Sequence, residues 1–209
     1  DYITEVRFYG VIENLSQIVS VNKIISLMKE KNMNKILVIL PVNSSQKKVL
    51  EGSAQDSEFI YCLKDSLTKE IVQSANIIIG NVPVYMVKGS ENLKWIQLNS
   101  SGTDGYTADG VLNDGVILTN ARGAYGIALS EYMIASLLML MKKLNIYYDN
   151  QKNHLWSDEG PVSSIFGAKV LVIGLGDIGM EFAKRINSLG GKVIGIRRNI
   201  AEKPDFVDE

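Results

Sequence analysis

The sequence predicts an α/β protein, with a parallel, doubly wound sheet first and a separate βαβ unit after it. Short apolar runs alternate with helical stretches from Asn34 onward, which is the pattern of strands joined by crossover helices. A glycine turn, Gly174-Leu-Gly-Asp-Ile-Gly179, follows the apolar run Val170 to Ile173 and leads into a stretch of helical composition, Met180 to Leu189. A second apolar strand, Lys192 to Ile196, then closes the unit at the spacing of a βαβ crossover.

The elements follow in order. Residues 1–33 read as an extension, with partial alternation in Asp1 to Ile12 suggesting a strand. Ile18, Val21, Ile25 and Met28 then recur at helical spacing. Residues 34–123 read as one domain. Its strands are Lys35 to Leu40, stopped by Pro41, then Glu58 to Cys62, Asn76 to Ile79, Leu93 to Leu98 and Val116 to Thr119. Between them, Ser44 or Ser45 caps a helix running to Leu50, and Leu67 to Ser74 is a second helix. A short helical turn follows Gly80-Asn-Val-Pro83.

Residues 124–166 read as a linking helix and a crossing between domains. Ala124 to Lys143 is the longest helical segment, with Ile127, Ser130, Ile134, Leu137, Leu138 and Met141 near one stripe. The polar stretch from Tyr147 to Pro161 follows, with Trp156 expected as its anchor. Residues 167–209 carry the nucleotide unit, in which Val170 to Ile173 is expected to be a buried strand.

The spacing of the glycines dictates chemistry. Gly174 allows the sharp turn, Gly176 lets the backbone approach a pyrophosphate, and Gly179 lets the helix pack on its strand. The new helix then turns its free N–H groups and positive dipole end toward the anion, so Asp177 and Ile178 join the three glycines as cofactor-binding positions. About 20 residues beyond the glycines an NAD-binding fold places a carboxylate for the ribose hydroxyls. Arg197 and Arg198 stand there instead. Their planar, permanently charged forks suit the 2′-phosphate of NADP, so NADP is expected over NAD.

Composition narrows the function further. Twenty-two basic and 23 acidic residues leave a net charge of −1, so no basic face advertises nucleic acid or an anionic membrane. Cys62 is the one cysteine, which excludes an internal disulfide and a cysteine zinc cluster and suits a reducing cytoplasm. The apolar run Met133 to Met141 is about half a membrane span, and no signal peptide opens the chain. Asp1 in place of Met reads as a start inside a longer translated chain or after processing.

Two polar, Gly-rich loops at strand carboxyl ends, Asn99 to Gly105 and Thr119 to Gly123, lie where open α/β sheets bind ligands. Ordinary turn chemistry explains the same residues, so each loop alone leaves both readings open.

The succession Trp95-Ile-Gln, Ser101-Gly-Thr-Asp104, Asn120-Ala-Arg-Gly123, Leu129-Ser-Glu131 and the glycine turn resembles the D-isomer-specific 2-hydroxyacid dehydrogenase family. Leu129-Ser130 departs from the commoner Val-Ala of that family. The resemblance implies a flavodoxin-like substrate domain, the first half of a Rossmann domain, and an active site in the cleft between them. It implies D-specific hydride transfer between a nicotinamide cofactor and a small 2-oxo or 2-hydroxy acid, as in the glyoxylate and hydroxypyruvate reductases, in a cytoplasmic homodimer. Backbone amides at Ser101 and Gly102, helped by Asn81 and Val82 in the loop after Gly80, are implied to receive the substrate carboxylate. The family's catalytic Arg, its His and the acid that holds that His lie downstream of the second nucleotide-domain strand, so none is carried over. His154, the lone histidine, precedes the glycine turn and reads as a solvated or packing residue; Arg122 is likewise unmatched. The alternative function is a non-catalytic dinucleotide-binding sensor, like the corepressors that resemble this family. One βαβ unit also leaves apolar faces partly covered, so 1–209 is expected to be incomplete as a folding unit.

Overall fold

A computed structural model describes residues 33–199 and 202–209; the strand and helix expected within residues 1–28 lie outside them. The chain divides after Ala124 into two compact units.

In the first unit, five parallel strands form one sheet: β1 (Asn34–Val38), β2 (Ser57–Tyr61), β3 (Ile77–Ile79), β4 (Trp95–Gln97) and β5 (Ile117–Thr119). Their order is β2-β1-β3-β4-β5, the flavodoxin-like order, with its switch point between β1 and β3. Apolar side chains alternate along β1 between two cores. Ile36 and Val38 join Ile77, Ile79 and Trp95 on one face, while Leu37 joins Val72, Ile78, Ile96 and Leu98 on the other. Burial on both faces is why these strands read as unbroken apolar runs.

Among the described residues of this unit the α-helices are α1 (Ser44–Ser53), α2 (Lys69–Ser74) and α3 (Val84–Val87). The cap of α1 is Asn43, not the expected Ser44 or Ser45. The Asn43 side chain accepts from the Gln46 amide at 3.0 Å, and the Gln46 side chain accepts from the Asn43 amide at 2.8 Å, closing a capping box. Between β4 and β5 the chain crosses over through turns, so the strand-helix alternation lapses there.

A buried polar network joins the last two strands. Trp95 Nε1 donates to Thr119 Oγ1 at 2.7 Å, Thr119 Oγ1 donates to Gln97 Oε1 at 2.5 Å, and Gln97 Nε2 donates to the Leu98 carbonyl at 2.7 Å. Thr119 is thus the middle of a chain in which every buried group finds a partner.

The second unit holds α4 (Gly126–Met141), α5 (Leu144–Lys152), β6 (Lys169–Ile173), α6 (Asp177–Ser188) and β7 (Lys192–Ile196). β6 and β7 pair in parallel from Lys169 against Lys192 to Ile173 against Ile196. Phe182, Ala183 and Ile186 of α6 bury against Val172 and Val193, and Ile134, Leu137, Leu138 and Met141 of α4 pack on the same core.

Four expectations are corrected in this unit. The long helix stops near Lys143 as expected, where φ is +55°, but a separate helix, α5, runs into the first part of the expected crossing. Ile127 is 55% exposed, because the residues of α4 that pack on the core of this unit, Ile134, Leu137, Leu138 and Met141, all lie in its later turns. Trp156 is fully exposed and anchors nothing. Glu159 holds that segment instead: its Oε1 accepts from Asn150 Nδ2 at 2.6 Å, and its amide donates to the Tyr147 hydroxyl at 3.2 Å. Finally, β6 is not buried throughout. Leu171 and Ile173 are 53% and 78% exposed, since α6 covers the other face, where Val172 lies.

Two measurements test this packing. Thr119→Val leaves the Trp95 N–H and the Gln97 carbonyl without their partner, so stability in urea is expected to fall by about 1–3 kcal/mol with an unchanged denaturant slope. Tyr61 holds α1 to β2: its hydroxyl donates to Glu51 Oε1 at 3.1 Å, and Lys47 Nζ sits 4.3 Å from its ring centre. Burial, then the hydrogen bond and charge of Glu51, push its phenol from 10.0 to about 12. The folded state therefore keeps a proton that the unfolded chain releases, and the contribution is complete below pH 10 and lost as pH rises toward 12. Phenolate absorbance is expected to show a late-titrating step near pH 12 that disappears in Tyr61→Phe, while any late step from the buried Tyr106 remains.

Candidate functional site

Two groups of residues are candidates for the chemistry, one in each unit. In the first unit, three loops meet at the carboxyl ends of β3, β4 and β5. Gly80, with φ at +115°, turns the chain out of β3, where a Cβ would meet Ile39 Cβ at 3.3 Å. Asn81 then pairs reciprocally with Asn99: the Asn81 amide donates to Asn99 Oδ1 at 3.2 Å, and the Asn99 amide donates to Asn81 Oδ1 at 2.8 Å. Asn81 Nδ2 also donates to Ser100 Oγ at 2.9 Å.

The third loop is joined in the same way. Asn120 Nδ2 donates to the Ser101 carbonyl at 2.8 Å, and the Ala121 amide donates to the Ser100 carbonyl at 2.9 Å. Arg122 turns its amide to Asn120 Oδ1 at 3.2 Å. Val82 is buried, whereas Ser101 and Gly102 are exposed. Among the described residues, the amides of Ser101 and Gly102 donate to no protein acceptor, and the Val82 amide donates to no backbone carbonyl.

In the second unit, the glycine turn joins β6 to α6. The Gly174 amide continues the β6–β7 ladder by donating to the Ile196 carbonyl at 2.8 Å, and φ at +100° then turns the chain sharply. Gly176 is the extended N-cap of α6, and a Cβ there would meet nothing within 4 Å. Gly179 is the opposite case. Its Cβ would stand 2.0 Å from the Gly174 carbonyl oxygen and 3.5 Å from Val172 Cγ1, so only glycine lets the helix seat on its strand.

No side chain caps α6, and its first helical bond runs from the Met180 amide to the Gly176 carbonyl at 2.9 Å. Among the described residues, the amides of Asp177, Ile178 and Gly179 are left without a protein acceptor. These donors stand at the positive end of a twelve-residue helix, which favours an anion. The Asp177 carboxylate lies against Gly126 at the start of α4, with Oδ1 2.8 Å from where a Cβ would stand. Glu131 of α4 pairs with Arg185 of α6 at 3.6 Å and ties the same two helices together.

At the end of β7 lies a pocket of about 350 Å³ lined by Leu175, Ile196, Arg197, Glu202, Lys203 and Val207, among others. Its floor exists because Leu175 folds over Gly195, where a Cβ would be 2.4 Å from Leu175 Cδ1. Its wall is the final segment, which docks on β7 through the Gly195 amide to the Glu209 carbonyl at 2.7 Å and the Asp208 amide to the Val193 carbonyl at 2.8 Å. Arg197 lines this pocket; Arg198 is exposed and is not among its lining residues. His154 is exposed at the end of α5 with φ at +55°.

Sequence reasoning did not find Lys203, Leu175 or Tyr106. Lys203 enters the pocket only through a turn with no periodic signal, and Tyr106 reaches Val82 across 24 residues. Among the described residues no cluster of three or more His, Cys, Asp or Glu is arranged to hold a metal ion. No described helix is long and apolar enough to cross a membrane.

The two glycines therefore predict opposite phenotypes. Gly179→Ala drives a methyl into the Gly174 carbonyl and is expected to cost about 1–3 kcal/mol of stability, read by thermal melting. Gly176→Val is expected to melt like the parent and to lose nicotinamide-cofactor binding, read by calorimetric titration.

Comparison with known proteins agrees with this geometry. Residues 134–208 match the family model "D-isomer specific 2-hydroxyacid dehydrogenase, NAD binding domain". The D-3-phosphoglycerate dehydrogenase of Methanocaldococcus jannaschii is 25% identical over 178 residues, covering 81% of this chain and 34% of that protein. The D-lactate dehydrogenase of Streptococcus agalactiae is 26% identical over 125 residues, covering 58% and 38%. The chain spans about a third of the length of the curated relatives it matches. Among solved structures, a D-isomer specific 2-hydroxyacid dehydrogenase family protein from Aeromonas salmonicida aligns with a TM-score of 0.71 at 25% identity, over 85% of this chain and 57% of that one. The D-lactate dehydrogenase of Aquifex aeolicus, solved with NAD and lactic acid, shares the fold at a TM-score of 0.63 and 19% identity, over 83% and 53%. With its glycine turn and its uncapped helix, the segment 134–208 is thus similar to the NAD binding domain of the D-isomer specific 2-hydroxyacid dehydrogenases.

Proposed function

We propose that this protein is an oxidoreductase that moves a hydride between a nicotinamide dinucleotide and the carbonyl carbon of a small 2-oxo acid, with D specificity. The observation that carries the reading is the open approach over Gly176 to three unpaired amides at the start of α6. That arrangement suits a pyrophosphate. The nicotinamide supplies the hydride when bound. The second unit acts as the cofactor domain, and Gly174, Gly176, Asp177, Ile178 and Gly179 cradle the pyrophosphate.

The first unit acts as the substrate domain. The amides of Val82, Ser101 and Gly102 form an anion nest for the substrate carboxylate, and Asn81 braces two of its loops. Unpaired donors on loops cross-linked by Asn81, Asn99 and Asn120 support this assignment. Pairing of two chains through the second unit is supported by the exposed Tyr132, Leu140, Leu144 and Trp156, and a cytoplasmic setting by the single free Cys62.

For the cofactor we infer NADP over NAD. Arg197 and Lys203 give the pocket at the end of β7 two cations, one of them a planar fork, although Glu202 and Glu209 also line it. Charge-assisted hydrogen bonds to a 2′-phosphate are worth about 1.5–3 kcal/mol, so NADPH is expected to bind at least about tenfold more tightly than NADH. Arg197→Asp is expected to reverse that order. Fluorescence titration of the protein and the variant with both reduced cofactors tests this: equal or tighter NADH binding in the parent contradicts the NADP assignment. Failure of both cofactors to bind contradicts the function itself.

A further inference from the structure

We propose that Tyr106 is a positioning residue for substrate: its hydroxyl holds the Val82 carbonyl and thereby keeps the Val82 amide aimed for the substrate carboxylate. This rests on the carboxylate reading above. Tyr106 lies just past the Asn99 to Gly105 loop and is 5% exposed, packed in the core with Val82, Val87 and Leu98. Its amide closes a turn on the Thr103 carbonyl at 2.8 Å, and its hydroxyl donates to the Val82 carbonyl. Gly105, at φ +79°, makes that reach feasible, because a Cβ there would press on Val84 Cγ2 at 3.3 Å.

The loop after β3 is therefore held at two points. Asn81 is fixed by Asn99 and Ser100, which orients the peptide that carries the Val82 N–H. The next peptide, between Val82 and Pro83, has no N–H of its own, so its carbonyl is the only group through which it is held. Tyr106 is the described residue that holds it. Burial pushes the Tyr106 phenol above its ordinary range, against a smaller lowering by the Val82 backbone, so the hydroxyl is protonated at neutral pH. The ring alone fills the core, and a phenylalanine fills it equally. The hydroxyl is spent on the loop.

The test uses sodium pyruvate as the probe and follows the amide resonances of Val82, Ser101 and Gly102 by NMR in the protein, Tyr106→Phe and Tyr106→Leu. The expected result is pyruvate binding in the parent, and at least fivefold weaker binding in both variants with a displaced Val82 amide. Tyr106→Leu also loses packing, so it should melt lower than Tyr106→Phe while matching it in affinity. Parental affinity in Tyr106→Phe overturns the role of the hydroxyl. Loss of affinity in Tyr106→Leu alone also overturns it, since packing would then explain the effect. Failure of the parent to bind pyruvate at these amides overturns the carboxylate reading itself.

Discussion

The approach of Gly179 to the Gly174 carbonyl is the constraint on which the second unit depends. A Cβ at Gly179 would stand 2.0 Å from that oxygen, so helix and turn touch backbone to backbone. That contact sets where α6 begins, and hence where its unpaired amides lie. It also lets Phe182, Ala183 and Ile186 reach Val172 and Val193, which form the core of the unit. A binding geometry and a hydrophobic core follow from one absent methyl group. The same economy recurs at Gly195, where a missing side chain lets Leu175 floor the pocket beside Arg197.

The first unit solves a different problem. A parallel sheet buried on both faces supplies rigidity, and its carboxyl edge must carry polar loops that would otherwise be free to wander. Asparagines 81, 99 and 120 brace those loops with side-chain bonds to neighbouring backbone, which leaves the amides of Ser101 and Gly102 unspent. Beneath them the Trp95, Thr119 and Gln97 chain locks β4 to β5, so the edge from which two loops spring is fixed by buried hydrogen bonds as well as by packing.

Much of this was legible in the residues, for physical reasons. Strands buried on both faces announce themselves as apolar runs, and all five in the first sheet were found, with ends shifted by one or two residues. The glycine turn was legible because each glycine answers a separate steric demand. What failed were inferences from side-chain type without a neighbour. Trp156 suggests an anchor, but solvent surrounds it and Glu159 does the anchoring. Leu171 and Ile173 suggest burial, but α6 covers only the Val172 side of β6. Lys203 and Tyr106 lie in turns, where no periodicity marks a residue whose importance comes from a distant contact.

The central claim is that the second unit grips a dinucleotide through the first-turn amides of α6. Mapping backbone amide shifts of the protein during titration with NADPH tests it most directly. The account predicts the largest changes at Leu175 to Met180, with a second group at Arg197 and Lys203. Changes confined to other surfaces, with Asp177, Ile178 and Gly179 unmoved at saturation, would contradict it.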